Sequence, residues 1–124
     1  MKFRIFAMLL PLLAASPALA APGDISVASF LAKADALQAK GAMALFSSDY
    51  KLLQSEGRAA GQAYRARLTA EQAQGKPSSC PPKPAPVGSN SLLAHLRAYP
   101  VAHRSTISLK TAMADLFIKT WPCS

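Results

Sequence analysis

The side chains most able to do chemistry in this chain are two cysteines, two histidines and six scattered carboxylates. Cys80 lies in the proline-rich stretch "SSCPPKPAPVGSN", and Cys123 lies in "TWPCS" at the C-terminus. Neither His95 nor His103 has a second metal-binding residue four positions further on. The carboxylates form no paired motif, and the sequence contains no G-x-S-x-G, H-E-x-x-H or phosphate-loop pattern. This inventory favours a binding protein over an enzyme, with no cofactor and no metal.

The first twenty residues, "MKFRIFAMLLPLLAASPALA", have the pattern of a secretory signal peptide. Lys2 and Arg4 form a positive start, an apolar run follows over residues 5–15, and "ALA" is a small-residue cleavage signal. We expect cleavage between Ala20 and Ala21. An uncleaved membrane anchor is the alternative, but the prolines and small residues before the cleavage site favour processing. The mature chain is therefore expected in an oxidising compartment, with no membrane attachment after cleavage.

The expected export to an oxidising compartment decides how the two cysteines are interpreted. A zinc site requires four ligands at close spacing and a redox site requires C-x-x-C, and the sequence offers neither. Cys80 paired with His95 as nucleophile and base would need a free thiol. An even number of cysteines in an oxidising compartment instead predicts a Cys80–Cys123 disulfide, which would close a loop of about forty residues.

Length and charge limit the class of protein. The mature chain, residues 21–124, has the length of one domain with a modest core. Without Lys2 and Arg4, twelve of the 14 basic residues remain against six acidic ones, a net charge of +6. A solvated surface and an anionic partner surface both explain this excess. Nucleic acid is the least favoured partner, because no basic cluster is interleaved with aromatic residues.

The mature chain has the hydrophobic spacing of about four helices, with no convincing strand, which predicts a small all-α single-domain bundle. The first helix is expected from a cap at Ser26 or Asp24 to Gly41, and the second from a cap at Ser47, Ser48 or Asp49 to about Ala73. Core positions are expected on both, namely Val27, Phe30, Leu31, Ala34 and Leu37 on the first and Leu52, Leu53, Ala60, Tyr64 and Leu68 on the second.

Two shorter helices are expected after the proline-rich loop. "SNSLLAHLRAYP" predicts a third helix capped by Asn90 or Ser89. "RSTISLKTAMADLFIKTWPC" predicts a fourth, capped by Ser105 or Thr106 and stopped by Pro122. The residues expected to face the core are Leu92, Leu93 and Leu96 on the third helix and Leu109, Ala112, Met113, Leu116 and Phe117 on the fourth.

Two patterns mark the second helix beyond its apolar stripe. Gly57 and Gly61 lie four apart, a spacing that suggests helix dimerisation in a membrane and close approach of a neighbouring helix in a globular domain. We favour the second interpretation. Lys51, Arg58 and Arg65 are spaced by seven and share one face, which indicates either a solvated surface or a partner surface.

Much of the mature chain, from Ile25 to Cys123, resembles the Rap/Tai family of type VI secretion immunity proteins. The resemblance is carried by "SCPP", "SLLAHLRAYP" and the final "WPC", with "ISVASFL" similar to the family's first helix. Relatives with a second disulfide have further cysteines near the first helices, where this chain has Ala34 and Gly61.

The resemblance implies a periplasmic protein, often a homodimer, that binds a peptidoglycan amidase effector and blocks its active-site groove. Arg58, Arg65 and Arg97 are the candidate partner-binding residues, because arginine can engage polar groups in a bidentate manner. Tyr64 is a weaker candidate, since it is expected to pack in the core. A general periplasmic helical protein without a cognate toxin, such as an envelope-stress factor, and a small secreted enzyme are the competing interpretations.

Overall fold

The computed structural model describes residues 21–124, so Ala20 and the segment before it lie outside the described residues. Within this range the fold is all-α, with four α-helices, no strand and a single Cys80–Cys123 disulfide, as the sequence predicted. The four helices are α1 (Val27–Lys40), α2 (Ser48–Ala73), α3 (Ser89–Ala98) and α4 (Leu109–Thr120), and short 3-10 helices cover Gly41–Phe46 and Val101–His103.

Helix α4 lies at the centre of the domain and packs against the other three helices. The apolar stripes predicted for α1 and α4 are buried at all ten positions. Leu52 was predicted to face the core, but it is exposed. At 100° per residue, Leu53 lies within about 20° of the direction of buried Ala60, whereas Leu52 points about 80° away. Burial of each large apolar side chain contributes about 1.5–3 kcal/mol.

The predicted caps of the last two helices are wrong. Helix α3 has Gly88 at its N-cap and no side-chain cap. Helix α4 begins later than the sequence suggested, because its N-cap is Ser108, whose hydroxyl accepts a hydrogen bond from the Thr111 backbone N–H. Thr106 serves the preceding turn instead, since its hydroxyl donates to the His103 carbonyl at 2.9 Å.

The N-termini of α1 and α4 cap each other. Two amides at the start of α1 donate to the loop before α4, Val27 to the Ile107 carbonyl and Ala28 to the Arg104 carbonyl. Conversely, the Leu109 and Lys110 amides donate to the carbonyls of Ile25 and Gly23. In each helix the third amide is bonded by its own N-cap serine, Ser26 or Ser108. The N–H groups that a helix leaves unpaired at its start are thus satisfied without water.

The proline-rich loop is attached to the C-terminus and to α2. The disulfide joins Cys80 to Cys123 across 43 residues, and the Cys80 amide donates to the Trp121 carbonyl at 2.8 Å. On the α2 side, the buried Tyr64 hydroxyl lies 2.8 Å from the Ser78 hydroxyl and 2.6 Å from that of Ser79. These contacts hold an irregular segment on the helical core.

Candidate binding groove

An open apolar groove of about 660 Å³ lies between α1, α2 and the start of α3. Its lining is mostly aliphatic and aromatic and includes Phe30 and Leu37 from α1, Leu53 from α2, and Leu92 from α3. A mainly apolar concave surface of this size with a few polar groups is typical of a ligand-binding or partner-binding site.

Two helix-interior glycines form part of the groove wall. Gly57 and Gly61 both line the groove, and a Cβ atom built at either position meets no neighbouring atom within 4 Å. The prediction that they admit a closely packed helix is therefore wrong. Each glycine costs helix stability relative to alanine. Since no packing contact explains them, their effect here is to leave the groove wider along α2.

The structure brings together two of the three predicted binding arginines. Arg58 and Arg65 are exposed and both line the groove. Their separation of seven residues places them two turns apart on one side of α2, about 10 Å along its axis. Arg97 does not line the groove; it pairs with Asp35 on α1 at 2.7 Å. Tyr64 is buried in the core, as predicted.

The groove arginines make no ion pair within residues 21–124, and the distribution of carboxylates explains why. All six carboxylates are engaged elsewhere: Asp24, Asp35, Asp49 and Glu71 in ion pairs with Lys110, Arg97, Lys33 and Arg67, Glu56 with the Gly23 amide, and Asp115 with the Tyr99 hydroxyl. Arg58 and Arg65 are absent from this set. The groove is therefore apolar along its floor and positively charged along α2.

An exposed apolar segment lies beside the groove. The 3-10 helix Gly41–Phe46 leaves Met43, Leu45 and Phe46 exposed, and Leu45 also lines the groove. In the sequence this segment is the apolar piece "AMALF". The sequence feature that marks this segment is a run of apolar residues without helical spacing, which lies between two capped helices.

His95 contributes to packing between α3 and α4. It lies in the last turn of α3, where the sequence placed it, and its Nε2 lies 2.9 Å from the Ala112 carbonyl and 3.1 Å from the Tyr99 hydroxyl. A carbonyl only accepts, so we assign the proton to Nε2. Burial lowers the pKa of His95 despite the bond to Ala112, which favours the charged form. Burial and the bond to Asp115 raise the pKa of Tyr99. Neither His95 nor Tyr99 lines the groove.

Within residues 21–124 no three His, Cys, Asp or Glu side chains are grouped as metal ligands would be, and no helix is long and apolar enough to cross a bilayer. Comparisons with protein-family models, curated proteins and solved structures find no match for the chain. The site therefore defines the chain only as a disulfide-linked helical domain that carries an arginine-flanked apolar groove.

Proposed function

We propose that this chain is an exported, periplasmic immunity protein that binds a peptidoglycan amidase effector of type VI secretion and blocks its active site. The observation that carries the binding part of this proposal is the apolar groove flanked by Arg58 and Arg65. The amidase as partner rests on the resemblance of the Cys80–Cys123 half to the Rap/Tai family.

Neutralisation would be steric and would involve no turnover. A stable complex of this kind buries about 800 Å² on each partner, and a few anchor residues dominate its binding energy. The apolar groove and the exposed Met43, Leu45 and Phe46, of which Leu45 lines it, together provide apolar surface for a partner. Burial of such a surface would supply binding energy, while the arginines would orient the partner.

The test is capture of the products of neighbouring genes. The tagged chain is produced in its host with its own N-terminal segment, purified from the periplasmic fraction and used in a pull-down against each neighbouring product. Any amidase captured is then expressed in the periplasm with and without the chain. We expect the chain to restore growth and to inhibit amidase activity at equimolar ratio.

The same preparation tests export. Mass spectrometry should place the N-terminus at Ala21. An intact Met1 in the exported fraction, or an absence of protection against every neighbouring product, would remove the immunity proposal.

The second candidate is a general periplasmic helical binding protein without a cognate toxin. The same groove favours it, because an apolar concave surface does not by itself specify a toxin as partner. Genomic position separates the two candidates, since an immunity gene is expected beside the gene for its effector. Capture of the same partner from strains that lack any neighbouring amidase gene would favour the general binding protein.

A further inference from the structure

We infer that the groove takes an amphipathic helix of a partner protein, one with an apolar stripe and two carboxylates spaced about seven residues apart. The inference rests on the proposed function only in taking the partner to be a protein. It adds which face binds and the chemistry of the segment that is bound.

The shape of the groove supports an elongated occupant. Its lining follows α2 from Tyr50 to Arg65, which is about 22 Å of helix axis. The groove is open along its side and is lined by small or apolar residues at Gly57 and Gly61 on α2 and Ala34 on α1. An amphipathic helix laid in such a groove buries its apolar face through anchors at i, i+3, i+4 and i+7.

The two groove arginines determine the spacing expected between the carboxylates of the bound helix. Arg58 and Arg65 are two helical turns apart, about 10 Å, and another α-helix running alongside α2 repeats its own side chains at the same interval. Carboxylates seven residues apart on that helix can therefore meet both arginines at once. A single-chain lipid has one anionic head group and offers no second anion at this interval, so the pair favours a helix over a lipid.

The same charges argue against a second copy of this chain as the occupant. Within residues 21–124 all six carboxylates are already engaged in ion pairs or hydrogen bonds. Asp49 and Glu56 do lie seven apart on α2, but Asp49 pairs with Lys33 and Glu56 accepts from the Gly23 amide. A homodimer through this groove would have to share these carboxylates with their present partners, or break the contacts, to neutralise Arg58 and Arg65.

The probe is a labelled peptide of about 16 residues, long enough to span the groove as a helix. It carries leucines on one face, two glutamates seven residues apart beside them, and alanine and glutamine elsewhere. A control peptide has both glutamates replaced by glutamine. Binding to the purified chain is measured by fluorescence anisotropy. We expect the glutamate peptide to bind about tenfold more tightly than its control, and this difference to shrink as salt is raised.

Two variants locate the site. Arg58→Gln with Arg65→Gln should remove the advantage of the glutamate peptide, whereas Lys76→Gln with Lys119→Gln, which removes the same charge away from the groove, should preserve it. Gly57→Leu should weaken both peptides about tenfold by filling the groove. Circular dichroism and thermal melting establish that each variant remains folded.

Several outcomes overturn the inference. Equal binding of both peptides, or loss of binding in the lysine control, removes the role of the arginine pair. Stoichiometric binding of dodecanoate that displaces the peptide identifies a lipid site. A concentration-dependent dimer that Gly57→Leu dissolves identifies a second copy as the occupant. An effector that Gly57→Leu still captures and inhibits refutes this docking face while the immunity proposal stands.

Discussion

The two sides of α2 differ sharply. One side carries Ala60, Tyr64 and Leu68, all buried in the core that α4 completes. The other side carries Arg58 and Arg65 along the open groove. The first side satisfies its polar atoms within the chain, and the second leaves apolar surface and positive charge unpaired within residues 21–124. The comparison separates residues that hold the domain together from residues that are available to a partner.

The largest expected effect is on the stability of the packed domain, from loss of the disulfide. Closing a 43-residue loop corresponds to about 4 kcal/mol in the chain-entropy model. Cys80→Ser with Cys123→Ser should therefore lower the free energy of unfolding by a few kcal/mol and Tm by many degrees. Denaturant unfolding measures the loss, and reduction of the parent protein should reproduce it. A variant as stable as the parent would show that the hydrogen bonds alone fix the loop.

Tyr64→Phe should have the next largest effect. It removes the hydroxyl that bonds Ser78 and Ser79, and the Ser79 side chain is fully buried, so an unsatisfied group would remain at a cost of about 1–3 kcal/mol. Tyr50→Phe is the matched control, because the Tyr50 hydroxyl contacts only the exposed Gln54 side chain and its loss should cost far less. Urea denaturation compares the two variants, and equal losses would contradict the assigned role of Tyr64.

Substitution of the groove glycines should change stability in the opposite direction. Gly57→Ala and Gly61→Ala should each stabilise the domain by about 0.5–1 kcal/mol, since a Cβ meets open space and alanine is the better helix former. Thermal melting measures the gain. Gly23→Ala is the contrasting control: Gly23 has φ of 92° and its Cβ would lie 3.2 Å from the Ala60 amide nitrogen, so this change should destabilise. Destabilisation at Gly57 or Gly61 would mean that these glycines are packed after all.

The smallest expected effect is a pH dependence from His95. Its pKa is lowered in the folded state, so above the unfolded value of about 6.5 both states are neutral and the folded domain keeps its full stability. As pH falls below that value, the unfolded chain binds a proton that the folded chain does not yet bind, and the free energy of unfolding decreases. Urea unfolding between about pH 7.5 and 5.5 measures this slope.

His95→Gln should flatten the slope in that range. The lowered pKa of Glu71, caused first by its bond to the Ser78 hydroxyl, acts at more acidic pH and so should not obscure the effect. An unchanged slope in the His95 variant would assign the pH dependence to another group.

The sequence predicted most of the packed core, because hydrophobic spacing and capping residues within each helix determine it. The stripes of α1 and α4, the Ser26 cap and the end of α2 at Ala73 follow from helical periodicity and capping chemistry. The start of α4 was misplaced because Ser105, Thr106 and Ser108 are all ordinary N-cap residue types, and the choice of Ser108 is fixed by the carbonyls of Gly23 and Ile25, which come from the other end of the domain.

The groove was harder to predict for a related reason. Gly57 and Gly61 have the spacing of a helix contact, and only the tertiary arrangement shows that no helix occupies that space. Likewise, spacing by seven placed Arg58 and Arg65 on one face. That their face opens on an apolar groove, and that Arg97 is neutralised by Asp35, depends on contacts between residues far apart in the chain.

The reciprocal capping of α1 and α4 has a consequence for the order of folding. The bonds from Val27 to Ile107 and from Leu109 to Ile25 join segments about 80 residues apart, so they form only after nearly the whole domain has been synthesised. Contacts of such long range slow folding, because the entropy of closing the chain is lost before they form. The first helix therefore leaves the ribosome with its local Ser26 cap but without the two carbonyls that accept from its first amides. Folding of the domain is expected to finish only after synthesis is complete.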